Sequence, residues 1–195
     1  MVGKIQSSDI NFHLLKEEDK PYIQDFTCGY TDLDDFFHDE VFICTKYAYV
    51  TSYCVKTDEG EIVALFTLSN DSIALSSLTA KEEFIEEVAS MGIEKEYEDV
   101  FRLQTSFPAI NIGHLAVRKD VQKCGIGGIV LAYVLNTFSG TIPAGCQFIT
   151  VDALNNPDTN AFYVRNGFMY QTLNDAASST RRMYLPINIL TGFED

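Results

Sequence analysis

The stretch "VQKCGIGG", residues 121–128, sets Gly125, Gly127 and Gly128 directly before the apolar run "IVLAYVL". A glycine inside a helix costs about 1 kcal/mol relative to alanine, so this density of glycine serves close approach to the backbone rather than helix stability. A strand, a glycine-rich turn and a helix in succession present several unpaired backbone N–H groups to an anion, aided by the positive end of the helix dipole. The preceding "VRKDVQK" adds Arg118, Lys119 and Lys123 against the single acid Asp120, a basic spot on an otherwise acidic chain. Phosphate is the natural ligand of such a turn; a tight turn that merely starts a helix is the alternative. Two familiar phosphate motifs fail on the letters. A Walker loop needs lysine and a hydroxyl residue where Ile129 and Val130 stand, and a dinucleotide fingerprint needs glycine or alanine at Val130.

Other residues could carry chemistry. His114, in "AINIGHLAV", titrates in a useful range, although a lone histidine is more often a packing or surface residue. Asp152, in "CQFITVDAL", is equally open. The acidic set Asp32, Asp34, Asp35, Asp39 and Glu40 reads as a solvated helix face. Cys124 has no recognisable partner for covalent catalysis and reads as a small loop residue. The five cysteines, at 28, 44, 54, 124 and 146, form neither a CxxC pair nor a cluster with histidine, so no metal site is expected and the thiols are expected reduced and mostly buried.

The elements that must position these residues follow a mixed α/β order. "INFHLLK" alternates as a half-buried strand does. "TDLDDFFHDEVFIC" puts Leu33, Phe36, Phe37, Val41 and Cys44 on one helical stripe over about 32–45, with Thr31 and Asp34 as a capping pair. "AYVTSYCVKT" and "EIVALFTLSND", joined by "DEG", predict a hairpin. "TAKEEFIEEVASMG" predicts a helix with Phe84, Ile85 and Val88 inward and a glycine C-cap, whereas "IEKEYEDVFRLQTSFP" is weakly patterned. There follow a strand over "AINIGHLAV", a helix over "GGIVLAYVLNTFSG" with Leu131, Val134, Leu135 and Phe138 as core, and a strand over "CQFITVDAL". A short helix over "DTNAFYVRNGF" ends at Gly167, and a last strand lies over "RRMYLPINIL", where Pro186 marks an edge or a strand end.

A chain of 195 residues with 46% hydrophobic content can build a real core, and no internal repeat or linker divides it. Lysine and arginine number 14 against 28 acids, a net charge of −14 that opposes general affinity for nucleic acid or an anionic membrane and suits a cationic or amine-bearing substrate. The start has no signal-like apolar segment, and the apolar run Ile129–Leu135 is too short to span a bilayer, so the cytoplasm is the expected compartment.

"LAVRKDVQKCGIGG" resembles the acetyl-coenzyme A loop of the GNAT superfamily of N-acetyltransferases, with Gln122, Gly125 and Gly127 meeting its Gln/Arg-x-x-Gly-x-Gly/Ala pattern. "NPDTNAFYVRNGF" is similar to that superfamily's second segment, through Asn156, Tyr163, Gly167 and Phe168. More weakly, "FTCGYTDLDDFF" and "FPAINIGHLAV" resemble the subgroup that includes toxins acetylating aminoacyl-tRNA, so the resemblance runs from about residue 10 to 187.

The resemblance implies a single α+β domain over 1–195, with a helical insertion at about 75–107 and a mixed, mostly antiparallel sheet splayed at the cofactor cleft. Acetyl-CoA would be the cosubstrate, without metal. Leu115, Ala116 and Val117 would pair with the pantetheine arm, and Gln122, Lys123, Cys124, Gly125, Ile126, Gly127 and Gly128 would hold the diphosphate, with Asn156 and Tyr163 also against the cofactor. Val117 N–H would face the oxyanion, worth about 3 kcal/mol. Tyr163 would be the general acid for the leaving thiolate, worth roughly 10²- to 10⁴-fold, and His114 is the candidate base. The implied function is direct acetyl transfer to a primary amine of a small molecule or peptide. The alternatives are toxin-like acetylation of aminoacyl-tRNA and a non-catalytic acyl-CoA sensor. Aminoacyl-tRNA is thus the one nucleic-acid partner left open, no membrane partner is expected, and a homodimer is compatible.

Overall fold

The structure, a computed structural model of the chain, describes residues 7–75, 77–139 and 144–188. Seven strands form one mixed, mostly antiparallel sheet in the order β1-β2-β3-β4-β5-β7-β6. The chain divides into two compact units, Met1–Ser69 with Ile112–Tyr133 and Asn70–Asn111 with Val134–Asp195.

In the first unit, β1 (Ile10–Leu14) pairs antiparallel with β2 (Thr51–Thr57), and β2 pairs with β3 (Ile62–Ile73) in the expected hairpin. Its turn closes through Gly60, whose φ of +87° is open to glycine at no steric cost. A short helix α1 (Lys20–Ile23) precedes a continuous helical run: α2 (Thr31–Asp35), a π turn over Phe36–Glu40, and α3 (Val41–Lys46). The expected stripe faces inward. Phe36, Phe37 and Val41 are buried with Ile23, Phe26, Cys54, Ile62, Leu65 and Ala116, while Leu33 and Cys44 pack partly against them. Fully burying one such phenylalanine stabilises by about 1.5–3 kcal/mol.

The capping pair is not made. Tyr30 precedes the helix with no side-chain cap, and Asp34 turns inward, accepting from Cys28 N–H at 2.8 Å and Thr27 Oγ1 at 2.5 Å. Two donors in a buried place outcompete one helix amide at the water's edge, because a carboxylate left unpaired there would be costly. Asp34 therefore leaves the solvated acidic face on which the sequence placed it; it is 9% exposed.

In the second unit, α4 (Leu78–Ala89), α5 (Lys95–Leu103), β5 (Phe148–Leu154), α7 (Pro157–Arg165), β6 (Met169–Tyr170) and β7 (Thr180–Pro186) surround an aromatic core. Phe84, Ile85, Val88, Phe101, Phe107, Phe148 and Tyr184 are among its buried members, with Ile73 and Ala109. α4 begins at Ser77, whose hydroxyl accepts from Ala80 N–H at 3.1 Å. α5 occupies the stretch that looked unpatterned, since Phe101 is its one fully buried side chain. Arg102 ties this helix to α4 through Nη1, 2.7 Å from Glu86, while Nη2 pairs within α5 with Glu98 at 2.7 Å. β7 lies between β5 and β6 and stops at Pro186, so the proline marks a strand end. The expected continuation through residues 189–190 lies outside the described residues.

Two elements run from one unit into the other: β4 (Phe107–Val117) and α6 (Ile126–Phe138), where Leu131 and Val134 are buried as expected, joined by Ile126 and Val130, while Leu135 and Phe138 are half-buried.

Candidate functional site

The glycine-rich loop begins where β4 ends. Arg118 N–H donates to Val63 O at 2.9 Å, a 3₁₀ turn follows over Lys119–Val121, and α6 starts at Ile126. Between them Lys123 (φ +62°) and Gly125 (φ +99°) take left-handed backbone, and at +99° only glycine sits without strain. Gly127 and Gly128 fall in the first turn of α6, and Ile129 N–H donates to Gly125 O at 3.2 Å. The leading amides of a helix have no carbonyl four residues back to bond, and here they carry no Cβ at two positions. This donor set, main-chain amides at the positive end of a 13-residue helix, fits a diphosphate.

Side chains around the loop are used differently from the expectation. Arg118 is spent on the protein itself: Nε is 2.7 Å from Asp120, Nη2 is 3.2 Å from Glu61, and Nη1 donates to Ile62 O at 3.2 Å. Its charge is matched by acids, so the basic spot read from sequence is smaller than its three cations suggest. Gln122 Nε2 donates to Cys28 O at 2.8 Å and Val117 O at 3.0 Å, so this amide braces the loop. Cys124 is half-buried and free.

On β4, Leu115 and Val117 are half-buried and Ala116 buried. His114 stacks on Phe36 with ring centroids 3.5 Å apart and meets the edge of Phe37 at 6.1 Å. Its Nδ1 is 3.1 Å from Thr67 Oγ1, and its own backbone N–H donates to the same hydroxyl at 3.1 Å. Burial among these groups pushes the imidazole down to about 4. His114 is neutral at pH 7 and too weak to hold a proton taken from an ammonium group, which is the behaviour of a packed histidine.

In the second unit, Asn156 caps α7, its Oδ1 accepting from Thr159 N–H at 2.9 Å. A helix cap accounts for that oxygen, whereas the resemblance assigned the residue to the cofactor. Tyr163 is buried on α7 with edge contacts to Phe162 at 5.0 Å and Phe168 at 5.2 Å. Burial raises its phenol well above the usual range, so it stays protonated at neutral pH. Asp152 is ion-paired: its Oδ2 accepts from Arg182 Nη1 at 2.8 Å. Arg182 also binds Asp71, whose Oδ2 accepts from the buried Thr150 hydroxyl, and Thr150 is reached by Asn111 Nδ2 at 3.3 Å.

Sequence reasoning missed this Asp71–Arg182 network and the inward turn of Asp34. For the first no local signal exists, because its members come from four strands. For the second the signal was the Thr-Cys-Gly run before the helix, whose donors a carboxylate can reach.

Among the described residues no group of three or more His, Cys, Asp or Glu could hold a metal, and no helix is long and apolar enough to cross a membrane.

Sheet order and the strand, glycine turn and helix at its centre define an α+β protein with the GNAT fold. Solved structures with this fold that resemble the chain include a tyrosine-to-phenylalanine mutant of KacT, at TM-score 0.69 and 18% identity over 91% of this chain and 95% of that one. Another is AtaTR bound with acetyl-CoA, at TM-score 0.69 and 19% identity over 92% and 94%. A third is AtaT complexed with acetyl-methionyl-tRNAfMet, at TM-score 0.67 and 18% identity over 91% and 95%. No protein-family model and no curated protein sequence matches the chain.

Proposed function

We propose that the chain transfers an acetyl group from acetyl-CoA to the α-amino group of an aminoacyl-tRNA. The observation that carries this reading is its likeness, over more than nine-tenths of both chains, to AtaT complexed with acetyl-methionyl-tRNAfMet. Acetyl-CoA supplies the activated thioester. Loop amides from Gln122 to Gly128 bind its diphosphate, with Lys123, Cys124 and Ile126 contributing main chain, and Leu115 to Val117 take up the pantetheine arm as an added strand does. The Val117 N–H is assigned to the carbonyl oxygen, where a single donor is worth about 3 kcal/mol. Tyr163, protonated across the neutral range, is assigned the proton that the departing thiolate needs.

The acceptor's own acidity supports an α-amine. A lysine-type ammonium, with pKa of about 10.4, is neutral at pH 7 about once in two thousand, a cost of about 4.6 kcal/mol that a base must offset. An α-ammonium, with pKa of about 8, costs only about 1.4 kcal/mol. His114, pushed to about 4, is no base for the first and is not needed for the second.

A second reading, acetylation of a small-molecule or peptide amine, is favoured by charge. Net charge is −14, and Arg102, Arg118, Arg181 and Arg182 are all ion-paired to acids. A polyanion releases counterions from each phosphate the protein neutralises, so rates on aminoacyl-tRNA measured across salt separate the readings. Acetylation of aminoacyl-tRNA in preference to free amino acids and amines supports the first. Faster turnover of a free amine, with tRNA inert at every salt concentration, gives the second.

A further inference from the structure

Residues 26–30, "FTCGY", form a strap whose three leading carbonyls are each taken by a different donor. Phe26 O meets His38 Nε2 at 2.8 Å, Thr27 O accepts from Lys119 N–H at 2.9 Å, and Cys28 O accepts from Gln122 Nε2 at 2.8 Å. Two of those donors belong to the glycine-rich loop. The strap's own donors point the other way: Cys28 N–H and the Thr27 hydroxyl both go to Asp34, and Gly29 N–H goes to Thr27 Oγ1 at 3.1 Å. Contact is close enough that a Cβ at Gly29, where φ is +85°, would lie 3.4 Å from Lys119 Cδ.

Asp34 is therefore joined through the single Thr27–Cys28 peptide to Lys119 N–H, and through the peptide that follows, one Cα further on, to Gln122. Peptide groups are planar and rigid, so fixing the Thr27 hydroxyl and the Cys28 N–H limits the directions in which the flanking carbonyls point. Those hydrogen bonds hold Asp34 below the usual carboxylate range despite its burial, so the anchor is charged at neutral pH. Gln122 in turn clamps Cys28 O and Val117 O together, joining strap, strand end and loop.

We infer that Asp34 is a positioning residue for the diphosphate-binding loop, acting through Thr27 and Cys28 on Gln122 and Lys119. This rests on the loop being the acetyl-CoA site proposed above. Asp34 touches no ligand; it sets the geometry in which the loop amides converge, so its removal weakens cofactor binding while leaving the chemical step alone.

The test is a double-mutant cycle read by calorimetry with coenzyme A on the full chain. Asp34→Ala and Gln122→Ala are each expected to raise Kd about tenfold, as loss of a charge-assisted or buried hydrogen bond does. The double variant should stay well below their product, because both act along one path. Asp34→Asn, which keeps an acceptor for Cys28 N–H, should recover about half of the effect on a logarithmic scale. At saturating acetyl-CoA, kcat of Asp34→Ala should remain within about twofold of wild type. Should Asp34→Ala not fold, Thr27→Val, which deletes only the hydroxyl that Asp34 accepts from, takes its place in the same cycle. An unchanged Kd in the Asp34 or Thr27 variant, or effects that multiply in the double variant, overturns the positioning role. A wild-type chain that binds no coenzyme A overturns the cofactor reading itself.

Discussion

The loop at 118–128 and the helix carrying Tyr163 are built on opposite principles. In the loop the groups proposed to hold a ligand are main-chain amides, and the side chains of Arg118 and Gln122 are committed elsewhere: Arg118 to Glu61 and Asp120, Gln122 to Cys28 and Val117. On α7 the group proposed to act is one phenol, held by aromatic packing from Phe162 and Phe168, while Asn156 is committed to the helix cap. A main-chain site is damaged through conformation and through the braces that fix it. A side-chain site is damaged by deleting one atom. The two regions should therefore fail in different ways, binding in one case and turnover in the other.

The largest effect is expected on α7. Tyr163→Phe removes only the phenolic oxygen and should lower kcat about 10²- to 10⁴-fold, with Kd for coenzyme A within about twofold of wild type, as measured by thiol release and calorimetry. A loss of binding with kcat intact would make Tyr163 a packing residue. Next is Gly125→Ala. A side chain at φ +99° costs on the order of 1–3 kcal/mol of backbone strain, so Kd should rise roughly tenfold or more while kcat at saturation holds. If both variants lower the same parameter, the contrast between the regions is wrong.

His114 gives a smaller, pH-dependent effect. Its folded pKa of about 4 lies below the ordinary 6.5, so between these values the unfolded chain binds a proton that the native chain does not. Stability is then unaffected by this group above about pH 6.5 and falls as pH drops from there toward 4. His114→Gln should flatten that part of the pH–stability curve, followed by denaturant unfolding, and should change kcat at pH 7.5 by less than about threefold. A loss of a hundredfold would restore the histidine as base. Smallest is Cys124→Ser, expected within about twofold of wild type in kcat and Kd, because direct transfer has no covalent enzyme intermediate.

The sequence exposed what depends on local pattern. Glycines at 125, 127 and 128 before an apolar run announced a loop of backbone donors, and the hairpin and the stripe Phe36, Phe37, Val41 followed from periodicity. It concealed what depends on long-range partners. Arg118 looked like a ligand cation because Glu61 is distant in sequence, and Asp34 looked solvated because the donors of Thr27 and Cys28 are found only once the strap folds back. α5 escaped because one buried Phe101 and an Arg102 bridge hold it in place of a regular stripe. His114 lay between these cases: its strand was readable, but its stacking on Phe36 was not.

The proposed activity, in which loop amides present an activated acetyl group to an α-amine on tRNA, predicts which acceptor is labelled. Its most direct test incubates the chain with acetyl-labelled acetyl-CoA and a panel of aminoacyl-tRNAs, with uncharged tRNA and free amines alongside. The expected result is label on the amino acid of at least one aminoacyl-tRNA, with one coenzyme A released per acetyl transferred and none with uncharged tRNA. Label on free amines with every aminoacyl-tRNA inert, or acetyl-CoA bound with no coenzyme A released in the presence of any acceptor, would contradict it.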